Sequence, residues 1–176
     1  MKLNSRTELL TIKNVPVPKN SLANDSLSCI HYSDAYKALL PDGASLDIEA
    51  ITKVFLTSVP SWVARLMKVR DRIVGLVGLK TSSSSSVICT KLEIGSRIGI
   101  FRVLNRSSHE ILLGEDDRHL NFRVSISIEK ENGLHNVTVS TVVFFHNWLG
   151  RMYFFIVGKI HKVIVSAMLK NMLRNL

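Results

Sequence analysis

From residue 98 onward, apolar and polar positions alternate along much of the chain. Leu120, Phe122, Val124, Ile126 and Ile128 fall on every second position with Asn121, Arg123, Ser125 and Ser127 between them. That period of two is the signature of a strand with one buried face. The pattern predicts four strands, at 98–104, 110–113, 119–129 and 137–146, with Asn132-Gly133 as the turn between the last two. Connections this short force antiparallel pairing, since parallel strands need a long crossover. Upstream, residues 29–39 read as a first strand, closed by the Pro41-Asp42-Gly43 turn, in which proline presets φ and glycine frees the reversal.

The period then lengthens. Asp47 is placed to cap a helix, with Leu46 and Ile51 as a hydrophobic staple and Ile48, Ile51, Val54 and Phe55 along one face. Pro60 breaks this helix, and a second starts near Ser61, carrying Trp62, Val63, Leu66, Met67, Ile73, Val74 and Val77 at helical spacing. Ser82 to Ser86 form a low-complexity run expected as a surface loop. Asn147 caps a long terminal helix. Leu149, Met152, Tyr153, Ile156, Ile160, Val163, Ile164, Ala167 and Met168 make a stripe along it that is expected to bury itself on the sheet.

The chain is therefore expected to be α+β: a curved antiparallel sheet wrapped on a long C-terminal helix, with two shorter helices after the first strand. Its 176 residues suit a polar lead-in over 1–27, bearing Pro16 and Pro18, and a single domain over 28–176. Cys29 and Cys89 have no metal-ligand spacing and read as reduced, buried thiols of a cytoplasmic protein. The opening residues are too polar for a secretory signal. Arg151, Lys159, His161 and Lys162 interrupt the apolar tail, so no membrane span is expected.

The net charge of +9 is concentrated. Residues 147–176 carry Arg151, Lys159, Lys162, Lys170 and Arg174 with no acid, and residues 60–80 carry Arg65, Lys68, Arg70, Arg72 and Lys80 against Asp71. Such helices could meet anionic lipid, nucleic acid or an acidic protein, but solvated faces are the plainer account. No stacking-aromatic pattern, zinc finger or RNA-binding signature supports nucleic acid.

Three groupings bear on chemistry. Asp117 and His119, at the charged tip Gly114-Glu115-Asp116-Asp117-Arg118, are close enough in sequence for a carboxylate to orient a general base. A turn tied by its own side chains is the simpler reading of such a tip. The histidines His109, His119, His135 and His146 lack zinc spacing, so no metal and no cofactor are expected. Finally, a sheet face of Phe122, Val124, Ile126, Val139, Val143 and Phe145 would oppose Met152, Ile156 and Ile160 across a space that either holds a ligand or packs shut.

The order of elements resembles the helix-grip architecture of the START and Bet v 1-like superfamily. Several segments also resemble an uncharacterised bacterial family, whose domain occurs fused behind atypical short-chain-dehydrogenase-like domains. They are Asp34-Ala35-Tyr36, the stretch from Trp62 through Lys80, Ile98-Gly99-Ile100-Phe101, Gly114 through Arg123, and His146-Asn147 with Leu149-Gly150-Arg151. The family pattern usually has aspartate where this chain has Asn121, and the chain has no GxGxxG sequence, so nicotinamide binding is not inherited.

On this basis the expected function is binding of a small apolar or amphipathic molecule between sheet and helix. Phe122, Val124, Ile126, Val143, Met152, Tyr153, Ile156 and Ile160 would line the site, and Tyr153 or Arg123 would anchor a polar group. The alternatives are a lyase, isomerase or cyclase using His119 and Asp117, and a docking module for a dehydrogenase-like partner protein.

Overall fold

Asn132 and Gly133 both take positive φ, 51° and 83°, and turn the chain within two residues. This sets Glu131 opposite Leu134 and zips the two longest strands into register from there to Leu120 opposite Phe145. The computed structural model describes residues 11–66 and 91–176. In chain order these form β1 (Ile12–Val15), β2 (Tyr32–Leu39), α1 (Ile48–Thr57), β3 (Arg97–Ile98), β4 (Phe101–Arg106), β5 (Glu110–Asp116), β6 (Leu120–Glu131), β7 (Leu134–Phe145) and α2 (Trp148–Asn175). The strands make one antiparallel, curved, seven-stranded sheet in the order β1-β2-β7-β6-β5-β4-β3. The chain is thus mixed α+β with a long terminal helix.

Local chemistry accounts for the main boundaries. The Asp47 carboxylate accepts from the Glu49 and Ala50 amides and starts α1, whose Ile48, Ile51 and Phe55 are buried. The Asn147 side chain accepts from Gly150 N and starts α2. Residues 61–66 are helical, as expected after Pro60. The remainder of that expected helix, the serine run and Cys89 lie outside the described residues. Cys29 is exposed rather than buried, because it precedes β2 in an open stretch.

The two faces of the sheet are covered differently. On one lie Tyr36, Ala38, Val103, Ile111, Leu113, Val124, Ile126, Val137 and Val139, packed on α1 and on the C-terminal half of α2. On the other, Leu112 and Val142 are capped by Ala23, Val17, Leu22 and Leu27 from the lead-in. Glu110 fixes that cover: it accepts from Ser21 Oγ at 2.6 Å, from Leu22 N and from Ser125 Oγ, and is buried. The polar lead-in is therefore a sheet cover with a strand of its own, β1. Sequence periodicity misses it because four residues, Ile12–Val15, are too few to show alternation.

The face that α2 turns inward is not the expected one. Gly150, Gly158, Val165, Met168, Leu169, Met172 and Leu173 are buried, whereas Met152 and Ile156 are 58% and 62% exposed. Close approach explains the choice. A Cβ on Gly150 would stand 2.1 Å from the His119 carbonyl oxygen, so only glycine lets the helix start sit on the β5–β6 turn. The Phe154 ring, one turn before Gly158, then packs on Tyr32 and Phe145 at centroid distances of 4.6 and 5.3 Å. By length and composition α2 is the one described helix long and apolar enough to cross a membrane. Its Val165, Met168, Leu169, Met172 and Leu173 are, however, part of the core.

Candidate functional site

On β2, alternation sends Tyr32, Asp34 and Tyr36 to the side covered by α2. Their neighbours across the ladder, Val143, Thr141 and Val139, point the same way. A carboxylate is thereby buried beneath the helix, with Asp34 only 8% exposed. Tyr32 donates its hydroxyl to Asp34 Oδ2 at 2.6 Å. From the helix, His161 Nε2 lies 3.1 Å from Thr141 Oγ1 and 3.6 Å from Asp34 Oδ1. Asp34 Oδ1 has no hydrogen-bond partner among the described residues, although it is buried. Tyr32, Asp34, Thr141 and His161 thus form a polar cluster inside an apolar interface, with one carboxylate oxygen short of a donor.

The cluster acts on the phenols beside it. Burial raises the Tyr32 pKa far above the ordinary value, and the hydrogen bond to the Asp34 carboxylate adds to the rise. Tyr36 is raised too, chiefly by burial and then by the charge of Asp34. Tyr36 in turn forms one wall of a cleft of about 430 Å³ between β2 and α2. Val163, Ser166 and Ala167 form its other wall, with Lys162 and Lys170 at either end along the helix. The cleft is shallow and open to solvent, and its walls are mostly apolar.

The residues expected to line a pocket divide into three groups. Val124, Ile126 and Val143 are buried in the core, and Phe122 is half-buried with its ring edge-on to Phe101 at 6.0 Å. Ile160 and Tyr153 are half-buried, while Met152 and Ile156 face outward. Arg123 is also misplaced as a ligand anchor. It shares the face of Ser125, away from α2, where it bonds Asp116 Oδ1 at 2.7 Å and the Glu115 and Phe122 carbonyls. Gly114 makes room for it, since a Cβ there would meet Arg123 Cδ at 2.8 Å.

Asp117 and His119 are not joined. The Asp117 carboxylate accepts from Arg118 N within its own turn, while His119 Nδ1 lies 3.1 Å from Asn147 Nδ2. The Asn147 side chain therefore meets His119 while its oxygen caps α2, fastening the β5–β6 tip to the helix start. His146 Nε2 meets Asn121 Oδ1 at 2.8 Å at the same end. His31 stacks on Phe144 and Phe145, and its Nδ1 accepts from Phe145 N. Residues of the segments Gly114 to Arg123 and His146 to Arg151 thus meet at this junction through His119, Asn121, His146, Asn147 and Gly150.

Among the described residues, no group of three or more His, Cys, Asp or Glu side chains comes together in a way that could hold a metal ion. Reasoning from sequence missed His161. The available signals were Asp34 at a position whose alternation makes it core-facing and a lone histidine in the apolar run of the last helix.

A search of curated proteins returns no match. The family model described as "Protein of unknown function (DUF2867)" matches residues 26–168, a span that includes β2 through most of α2, the polar cluster and the cleft residues other than Lys170. The chain belongs to that family of proteins of unknown function.

Proposed function

We propose that the protein binds a small amphipathic molecule with an acidic head, its apolar body lying in the cleft between β2 and α2. The observation that carries this is the cleft lining: the Tyr36 ring, Val163 and Ala167 offer apolar surface over about two helical turns, with Lys162 and Lys170 at the ends. Such a site needs apolar walls for affinity and a few placed charges for orientation. An antiparallel sheet around a terminal helix also fits the helix-grip plan of START and Bet v 1-like proteins, which supports binding between sheet and helix by analogy of fold. The site inferred here is nearer the edge strands than the sequence pattern suggested.

Decanoate is a suitable probe. It should raise the Tm of the native protein in a dose-dependent way. Ala167→Trp, which fills the cleft, should remove the shift, and Lys162→Gln with Lys170→Gln should weaken it. An unchanged Tm in the native protein, or an equal shift in Ala167→Trp, would rule the site out.

A second reading rests on the polar cluster. His161 beside a buried carboxylate, with Tyr36 as the link to the cleft, is an arrangement suited to proton transfer on a bound molecule. This moves the enzyme alternative from Asp117 and His119 to Asp34 and His161. If proton transfer occurs, His161→Gln should leave decanoate binding intact and abolish turnover of a bound substrate.

A further inference from the structure

The N-terminal half of α2 presents an apolar face that nothing in the described fold covers. Trp148, Met152, Phe155, Ile156 and Val163 recur at helical spacing along one side, and Trp148 and Phe155 are 65% and 69% exposed. Isolated exposed apolar residues are ordinary, but a contiguous row of large ones marks an interaction site. The row is interleaved with cations. Arg151, Lys159 and Lys162 are exposed on the same half of the helix, and Lys159 Nζ sits 4.7 Å from the Phe155 ring centroid. The whole helix contains five Lys and Arg residues and no acid.

That combination selects an occupant. A second copy of the chain would bring the same cations against themselves, in a protein whose net charge is already +9. An anionic lipid surface instead accepts the aromatic and aliphatic side chains into its acyl boundary and pairs its headgroups with the flanking cations. Lysine suits this placement, because its stem lies along apolar surface while its ammonium reaches the headgroups. We infer that the exposed face of α2, from Trp148 to Val163, docks the protein in-plane on an anionic membrane surface while the C-terminal half of the helix stays in the core.

This goes beyond the cleft reading and is tested with residues outside the cleft. The full chain is mixed with vesicles of phosphatidylcholine, or of equimolar phosphatidylcholine and phosphatidylglycerol, and separated by flotation. It should float with the mixed vesicles at low salt, remain behind with pure phosphatidylcholine, and dissociate as salt rises. Phe155→Ser with Ile156→Ser should abolish flotation. Arg151→Gln with Lys159→Gln should weaken it on the order of tenfold or more. Both pairs are solvent-facing and should keep the native Tm and its decanoate shift, so loss of membrane docking is distinguishable from loss of the cleft site. The inference is overturned if the protein fails to float with the mixed vesicles, or if both double variants float as well as the native chain. It is also overturned if light scattering shows a dimer, dissociated by the Phe155 and Ile156 substitutions, that binds no vesicles.

Discussion

Asp34 is the residue where structure and candidate chemistry meet most closely. Its charge is buried, one oxygen is held by Tyr32, and the other faces His161 without a hydrogen bond. The effect on the phenols gives a direct test. The sequence has three tyrosines, and Tyr32 and Tyr36 are both raised above their ordinary 10.0. Because folding favours their protonated form, the stabilisation is complete below pH 10 and is lost as pH rises through their folded values. An ultraviolet titration of the native protein should therefore show two tyrosines ionising late and together with alkaline unfolding. Asp34→Asn should bring both onsets down in pH, since it removes the charge that opposes the phenolates. Asp34→Ala removes the acceptor of the half-buried Tyr32 hydroxyl and should cost about 1 kcal/mol in denaturant unfolding.

At the level of elements, the junction between the β5–β6 tip and the start of α2 decides which side of the helix faces the sheet. Asn147 caps the helix and holds His119, while Gly150 lies against the His119 carbonyl. Asn147→Ala should lower stability by about 1–2 kcal/mol through the lost cap. Gly150→Ala should cost more, roughly 2–3 kcal/mol, because the obstructing atom is backbone and cannot rotate away. It should also alter the near-ultraviolet signal of Trp148, which a simple cap loss would not. This junction explains why the strands were legible in sequence and the helix face was not. In β6 every second residue from Leu120 to Ile128 is apolar, so only one register buries them. In α2 apolar residues surround the axis, and periodicity cannot choose among faces when Met152 and Ile156 are as apolar as Val165 and Met168. Close approach at Gly150 made the choice, and it depends on His119, which is remote in sequence. Arg123 was misassigned for a related reason. Alternation correctly put it opposite Phe122, but which of the two faces the helix covers was known only once α2 was placed.

For the whole molecule, the sheet divides two tasks between its faces. One is sealed by the lead-in, with Glu110 as the tie between residues 21–22 and the sheet. Glu110→Ala should destabilise the fold by on the order of 1–3 kcal/mol, since it strands the Ser21 and Ser125 hydroxyls and the Leu22 amide. It should leave decanoate binding unchanged, because the cleft is on the opposite face. The other face receives α2, whose Val165, Met168, Leu169, Met172 and Leu173 fill the core while Val163, Ser166 and Ala167 border the cleft. Sequence reasoning expected Met152 and Ile156 to face the sheet, whereas both are exposed and the cleft is bordered by residues further along the helix, Val163, Ser166 and Ala167.

The most direct test of the cleft as a binding site is a native mass spectrum of the gently purified protein, alone and with added decanoate, compared with Ala167→Trp. A single decanoate adduct, or displacement of a co-purified amphipathic acid, in the native chain and its absence from Ala167→Trp is the predicted result. A spectrum with no adduct in either protein at saturating decanoate, or with equal adducts in both, would contradict the account.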